Sequence, residues 1–338
     1  MPFVGGSDPS SAPGPSDLHW FLPGVVLTLG LAAFSLLEIP DYSGVIGALS
    51  LLPLWFGIAV AVGGVIILIA TFQMMIAGIE RPLGVIRDFC ITHKRRLLLI
   101  LPGLLLTGMN MIVFMWVKQL LNYLVPFWAD PYLAAADRFI FFTDPWRLLT
   151  WLDSFPFALF YHRGWFALMI LALLKVLWSP PSDEKTALML TYFILWSVFG
   201  PVVHTLLPAA GPVFYAHLGY GDRFAEFGMT AETQKLADYL WTIYEGGGFG
   251  PAAGISAMPS LHIATTAWLV IAIHRFARSW LIPVAALSFM IFVLSVALGW
   301  HYAVDGIVGI AATFGLWRAC LWCARSRSVW TDTVAGAA

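Results

Sequence analysis

Charged residues are scarce in this chain of 338 residues, since Asp, Glu, Lys and Arg together make up only 11%. Hydrophobic residues account for 60%, 16 tryptophans are present, and the mean hydropathy is +0.82. These values lie well above what a soluble domain of this length needs to build a core. The composition therefore excludes an ordinary soluble domain and predicts an integral membrane protein.

An excess of positive charge is also missing, because the net charge is −1. No basic surface indicates a nucleic-acid partner. Residues 1–19 begin MPFVGGSDPSSAPGPSD and lack the basic region and cleavage site of a signal peptide. Their Gly, Ser and Pro content predicts a disordered tail.

Long apolar runs fill most of the remaining chain. A helix that crosses a membrane needs about 20 mostly apolar residues, and eight stretches meet or approach this length, the sixth being the shortest. They cover roughly 20–38, 54–78, 97–117, 158–177, 187–207, 260–274, 280–298 and 302–322. We therefore predict a single all-α transmembrane domain over 20–322 with about eight membrane-crossing helices, followed by a cytoplasmic tail over 323–338.

The positions of the basic residues predict the orientation of the chain. With both termini in the cytoplasm, most of the 18 basic residues fall on the cytoplasmic side, and HKRR at 93–96 and HRFAR at 274–278 contribute most of the signal. The cysteines Cys90, Cys320 and Cys323 then lie at or near that reducing face, so no disulfide is expected.

Two long segments, 119–157 and 208–258, connect the helices on the opposite, non-cytoplasmic side. The first is rich in aromatic residues and is expected to lie along the membrane interface. In the second, TAETQKLADYLWTIYE predicts a surface helix behind a Thr230 cap. The following EGGGFG at 245–250 lacks the Lys and Ser/Thr of a P-loop and is interpreted as a flexible linker.

Two histidines, His262 and His301, lie at the non-cytoplasmic ends of predicted helices, where unpartnered ionisable groups are costly and are candidates for function. Asp305 follows His301 by four residues, a spacing that places both on one face of a helix. The carboxylate can then accept the proton of one ring nitrogen and leave the other with a free lone pair. This pair predicts a nucleophilic or basic histidine.

The stretch GISAMPSLHIATTAW at 254–268 predicts an anion site next to the other histidine. Pro259 suits a helix start, and the free N–H groups of the first turn, together with the Ser260 hydroxyl, can bind an anion. Because His262 lies beside them, the two stretches together suit phosphoryl transfer.

The stretches MPSLH (258–262) and GWHYAVD (299–305) resemble the second and third signature motifs of the type 2 phosphatidic acid phosphatase (PAP2) superfamily. The PSLH form is similar to the branch of the inositol phosphorylceramide synthases, which is related to the sphingomyelin synthases. The resemblance implies a six-helix catalytic core over about 97–322 with extra N-terminal helices, and a reaction without metal or cofactor.

Carried over to this sequence, the resemblance gives each motif residue a role. His301 would take the phosphoryl group as a phosphohistidine and Asp305 would hold its ring. His262 would protonate the leaving oxygen and later deprotonate the incoming water or alcohol.

This chain departs from the first motif of the family, KxxxxxxRP, which falls on HTLLPAAGP at 204–212. His204 replaces the Lys and Gly211 the Arg, while Ser295 replaces the Arg of the third motif. The missing cations argue for a phosphodiester substrate of lower charge. His204 is either a phosphate ligand or a buried histidine bonded to backbone. Three arginines could replace the missing cations, or alternatively anchor the protein at the membrane interface: Arg138, Arg163 and Arg223.

The leading hypothesis is a membrane phosphotransferase that moves a phosphoryl headgroup from a phospholipid to a lipid alcohol, ceramide or diacylglycerol, so its partners are membrane lipids. The alternative is a lipid phosphate phosphatase acting on phosphatidate, a prenyl pyrophosphate or a lipid A phosphate. A third hypothesis, a non-catalytic lipid binder, does not explain the set of two histidines and one aspartate.

Overall fold

The computed structural model of the protein describes residues 16–38, 49–152 and 154–335. Most of the predicted N-terminal tail over 1–19 lies outside the described residues. Within them the regular elements are helices and no strand occurs, which confirms the prediction of an all-α protein.

Eleven helices position the site. In chain order they are α1 (Leu18–Glu38), α2 (Leu52–Ile76), α3 (Pro82–Thr92), α4 (Lys94–Leu124), α5 (Asp130–Phe141), α6 (Pro156–Trp178), α7 (Asp183–Leu206), α8 (Ala231–Glu245), α9 (Leu261–Phe276), α10 (Arg278–Ala297) and α11 (Ala303–Ala335).

Seven helices of the described chain are long and apolar enough to cross a membrane: α1, α2, α4, α6, α7, α10 and α11. The sixth predicted stretch forms the shorter helix α9, which has 16 residues. The protein is therefore an integral, multi-pass membrane protein. The crossing segment of α11 ends at Ser326, but the helix itself continues to Ala335 through most of the predicted C-terminal tail.

Charged contacts show which helix ends lie together. Lys185 at the start of α7 binds Asp17, just before α1, with Nζ 2.7 Å from Oδ1. Glu184 binds Arg275 at the end of α9 and Arg325 in α11. The start of α1 and the final part of α11 therefore lie at the same end of the bundle, opposite the end at which α4, α7 and α10 finish.

The helix α9 lies at the centre of the bundle, although it is the shortest of the apolar helices. It packs against α6, α7, α10 and α11, and its Trp268 indole donates to the carbonyl of Leu188, 2.7 Å away in α7. By contrast, Trp55 is the only buried residue in α2, so much of this helix is exposed, as expected where lipid is the solvent. The position of α9 holds its first turn, which carries the MPSLH motif, inside the protein.

The predicted surface helix is confirmed as α8. The Thr230 side chain caps its start by accepting a hydrogen bond from the backbone N–H of Thr233, at 3.2 Å. The glycine segment after α8 differs from the flexible linker we expected, because hydrogen bonds hold it and the following residues to α4. The Tyr123 hydroxyl donates to the carbonyl of Gly248 at 2.6 Å, and the Gln119 side chain accepts from the N–H of Gly250 at 2.8 Å.

Two buried carboxylates of α5 hold the segments that carry the histidine motifs. Asp137 accepts hydrogen bonds from the backbone N–H groups of Ala303, at 2.7 Å, and Val304, at 2.8 Å, and so caps α11. Asp130 accepts from the N–H of Gly211 and from the Tyr302 hydroxyl, at 2.8 and 2.9 Å. The segment 119–157 thus fixes the start of α11 from outside the seven helices that are long enough to cross a membrane.

We expect Asp137→Ala to lower the stability of the protein by about 2 kcal/mol, because two buried N–H groups at the start of α11 would lose their acceptor. For a chain of this size, that change corresponds to a fall in Tm of about 3 °C in detergent. Thermal denaturation followed by circular dichroism measures it, with the exposed Asp222→Ala as the control. An unchanged Tm in Asp137→Ala would show that the cap does not stabilise the fold.

Candidate active site

The MPSLH segment forms the start of α9, but the helix begins later than the sequence led us to expect. Its first residue is Leu261, and Ser260 is the N-cap, so Pro259 precedes the helix. The Ser260 hydroxyl accepts a hydrogen bond from the N–H of Ile263 at 3.4 Å, and the residue is fully buried. Ser260 therefore serves the helix cap and does not face the cavity described below.

His301 lies in the turn between α10 and α11. Gly299 makes this turn with a φ of +71°, and a Cβ there would lie 2.8 Å from the Phe227 ring, so glycine is required. The backbone N–H of His301 donates to the carbonyl of Ser295 at 3.1 Å. Ser295, which replaces the Arg of the family's third motif, is itself buried and supports the turn.

A backbone carbonyl orients the His301 ring. The Nδ1 atom lies 2.8 Å from the carbonyl oxygen of Ala257. A carbonyl can only accept, so Nδ1 carries the proton and Nε2 keeps its lone pair. The residue directly before the MPSLH segment thus orients the histidine of the other motif.

Asp305 does not take the position that the four-residue spacing predicts. Its Oδ2 atom lies 3.6 Å from Nδ1 of His301, beyond hydrogen-bonding distance, and accepts instead from the N–H of Tyr302 at 2.9 Å. The reason is that α11 begins at Ala303, so His301 is outside the helix to which the spacing was applied. The fully buried carboxylate still lies close enough to act electrostatically on the ring.

The neutral state of His301 follows from its environment. The side chain is only 5% exposed, and burial lowers the pKa of His301 to about 3, against the opposing effect of the hydrogen bond to Ala257. The imidazole is therefore uncharged at neutral pH, as a nitrogen nucleophile must be.

His262 faces the same space as His301. The centroids of the two rings are 6.1 Å apart. The His262 ring stacks on Tyr161, at 5.2 Å, and contacts Trp165, at 4.2 Å. These aromatic contacts with α6 fix the orientation of the second imidazole.

Both histidines line one cavity of about 640 Å³ between α2, α4, α6, α9 and the loop over 252–256. Besides the two histidines, its polar and basic lining residues are Lys118, Tyr161, His162, Arg163 and Ser256. An apolar part extends between α2, α4 and α6, lined by Leu54, Ile58, Met111, Phe114, Met115 and Phe166. The cavity thus joins a polar end that carries both imidazoles to an apolar end beside the lipid-facing helix α2.

The candidate phosphate-binding cations lie in different parts of the protein. Arg163 lines the cavity and is exposed at its edge. Arg223 lies elsewhere and pairs with Asp144, while Arg138 is on the exposed face of α5. His204 is buried, and its Nε2 atom lies 3.2 Å from the side-chain nitrogen of Asn122.

Sequence reasoning missed Lys118, the basic residue of α4 that lines the cavity. The predicted orientation puts it on the non-cytoplasmic side, next to the segment 119–157, but the sequence analysis did not propose it as a phosphate ligand. The signal was a single lysine inside the apolar run MIVFMWVKQLL at 111–121, because a charge within a membrane helix is a functional candidate by default.

A model of the PAP2 superfamily matches residues 131–319, more than half of the 338 residues. The chain therefore belongs to the PAP2 superfamily. The match covers both histidine motifs and leaves α1 to α4 outside. Members of this superfamily are phosphatases or phosphotransferases, so the protein is a membrane enzyme of phosphate-ester chemistry. Searches among curated proteins and among solved structures find no match.

Proposed function

We propose that the protein is a lipid phosphotransferase that moves a phosphoryl headgroup from a phospholipid to a lipid alcohol, such as a ceramide or diacylglycerol, through a phosphohistidine on His301. The observation that carries the proposal is the pair of imidazoles in one cavity, one of them with a free Nε2 lone pair. As at the sequence level, the PSLH form supports the branch of the inositol phosphorylceramide synthases.

In the first step, the Nε2 lone pair of His301 attacks the phosphorus atom of the phospholipid. A P–N bond forms and the P–O bond to the diacylglycerol oxygen breaks. His262, which takes up a proton when the anionic phosphate binds beside it, gives that proton to the leaving oxygen. Diacylglycerol leaves, and the headgroup phosphate remains on His301. The proton stays on Nδ1, which donates to the Ala257 carbonyl. The Asp305 carboxyl, 3.6 Å from Nδ1, lies where it can stabilise the positive charge that develops on the ring.

In the second step, the hydroxyl of the acceptor lipid gives its proton to the now neutral His262. The oxygen attacks phosphorus, a new P–O bond forms and the P–N bond breaks. His301 returns to its neutral state and His262 is protonated for the next cycle. Water in place of the acceptor would release the headgroup phosphate instead. With phosphatidate as the donor, the same steps would release inorganic phosphate, which is the phosphatase reaction.

Two features of the cavity support a lipid phosphodiester as the donor. The apolar part between α2, α4 and α6 offers a place for an acyl chain while the headgroup lies at the histidines. The cationic residues of the family's first and third motifs are replaced here by His204, Gly211 and Ser295, which suits a diester with one negative charge better than a dianionic monoester.

We also propose that the cavity opens on the non-cytoplasmic side. The site lies at the end of the bundle opposite Lys185, Arg275 and Arg325, and the charge distribution of the sequence places those residues in the cytoplasm. The donor and acceptor lipids would then come from the outer or lumenal leaflet.

The test is an assay of the purified protein in detergent with a headgroup-labelled phospholipid, with and without ceramide or a diacylglycerol whose acyl chains differ from those of the donor. We expect a new labelled lipid that forms only when the acceptor is present. Release of inorganic phosphate from phosphatidate at a rate indifferent to the acceptor would contradict the transferase proposal and identify a phosphatase.

A further inference from the structure

We infer that Lys118 binds the phosphate group of the substrate lipid, and that α4 thereby supplies the positive charge missing from the family motifs in this chain. The inference rests on the proposed function only in requiring a phosphate ester in the cavity. It would hold for a phosphatase as well as for a transferase.

The first argument is the position of Lys118 in the cavity wall. Met111, Phe114, Met115 and Lys118 all line the cavity, and their spacing puts them on one face of α4. The first three belong to the apolar part, and Lys118 ends the row at the polar part. A lipid lying along this face would place its acyl chain on the apolar residues and its phosphate at the ammonium group.

The second argument is that the charge of Lys118 is uncompensated. Within the described part of the chain, the ammonium group has neither a hydrogen-bond acceptor nor an ion-pair partner, although the residue is partly buried. A cation held away from water in a membrane helix is costly unless an anion joins it. By comparison, Arg223 is paired with Asp144, so the protein itself compensates the charge of that arginine.

The third argument is the proximity of Lys118 to both proposed catalytic rings. Lys118, His262 and His301 line the same polar part of the cavity, so the ammonium charge acts on both imidazoles. An anion bound between the ammonium and the two imidazoles would have its phosphorus near the Nε2 lone pair of His301. The charge would also stabilise the negative oxygens of the transition state.

The surrounding structure holds Lys118 in this position. Residues of the loop after α8 lie against the same part of α4, where the N–H of Ile255 donates to the Asn122 side chain at 2.7 Å. Gly254 has a φ of +107°, and a Cβ there would lie 3.3 Å from Cγ of Lys118. The loop therefore covers the stem of the lysine and limits the directions its ammonium can take.

The test compares the purified native protein with Lys118→Met, Lys118→Arg and the control Lys235→Met, which removes an exposed lysine of α8. Two quantities are measured: the Kd of orthovanadate by titration calorimetry, and kcat/KM for a labelled phospholipid donor. Orthovanadate adopts the geometry of phosphoryl transfer and needs no lipid. Thermal denaturation of each variant shows whether it is folded.

We expect Lys118→Met to weaken vanadate binding and to lower kcat/KM, each by about 100-fold, the effect of losing one donor to a developing oxyanion. Lys118→Arg keeps the charge, so its vanadate affinity and its kcat/KM should each be at least about tenfold higher than those of Lys118→Met. Lys235→Met should behave as the native protein. A merely structural role for Lys118 would instead lower the Tm of Lys118→Met without a selective loss of vanadate affinity.

The outcomes separate this inference from the proposed function. A folded Lys118→Met with native vanadate affinity and native kcat/KM overturns the inference, even if a labelled lipid product confirms the transferase. Impaired Lys118→Met in a protein that only releases inorganic phosphate supports the inference and refutes the transferase. A native protein that neither binds vanadate nor converts any phospholipid or phosphatidate contradicts both.

Discussion

His301→Ala is expected to lower kcat by about 10⁴-fold or more, the range seen when a covalent nucleophile is removed. The reason is that Nε2 of His301 carries the nucleophilic lone pair, because the hydrogen bond to the Ala257 carbonyl keeps the proton on Nδ1. Turnover of a labelled phospholipid measures the loss. A second measurement is rapid quenching at alkaline pH, which preserves phosphohistidine and should show label on the native protein only.

The matched control is His217→Ala, which removes an exposed histidine from the segment between α7 and α8. It should keep native turnover and native labelling. Activity of folded His301→Ala within tenfold of the native value would refute the assignment of the nucleophile, whatever the products of the reaction are.

His262→Ala is expected to lower kcat/KM for a phospholipid by about 10²- to 10⁴-fold, the usual contribution of a general acid and base. The diacylglycerol oxygen is a poor leaving group, so it needs a proton as the P–O bond breaks. In a p-nitrophenyl diester of the same headgroup, the leaving group is a stabilised phenolate, which needs no proton. The loss in His262→Ala should therefore be much smaller with the p-nitrophenyl substrate when formation of the phosphohistidine limits the rate.

The two histidine variants should differ in this comparison. His301→Ala removes the nucleophile and should stay inactive with both substrates, whereas His262→Ala should recover selectively with the activated one. Equal losses in His262→Ala for both substrates during a single-turnover burst would show that His262 does not protonate the leaving group, and the acid role would have to be assigned elsewhere.

Much of the fold could be predicted because a membrane imposes a strict length on apolar runs. The predicted stretches at 20–38 and 187–207 differ from α1 and α7 by a few residues at their ends. The PAP2 assignment also followed from two short motifs. What the sequence could not supply was the contact of His301 with Ala257, because the residues are 44 positions apart and the acceptor is a backbone atom that any residue carries.

The sequence could not distinguish the candidate cations from one another for a related reason. Arg223 and Lys118 were both on the predicted non-cytoplasmic side, and nothing local distinguishes an arginine that pairs with Asp144 from a lysine that lines a cavity. The difference depends on which helices pack together, a long-range property. Likewise, the spacing between His301 and Asp305 was read as helical, although the helix begins two residues after the histidine.

The short length of α9 has a consequence for the depth of the reaction. Its 16 residues span about 24 Å at 1.5 Å per residue, whereas the hydrocarbon layer of a bilayer is about 30 Å thick. The neighbouring helices are long enough to span the full thickness, so α9 ends short of at least one headgroup level. If that end is the first turn, which carries His262, a phosphodiester must sink several ångströms or the membrane must thin around the protein, and the rate of the reaction would then depend on the thickness of the surrounding bilayer.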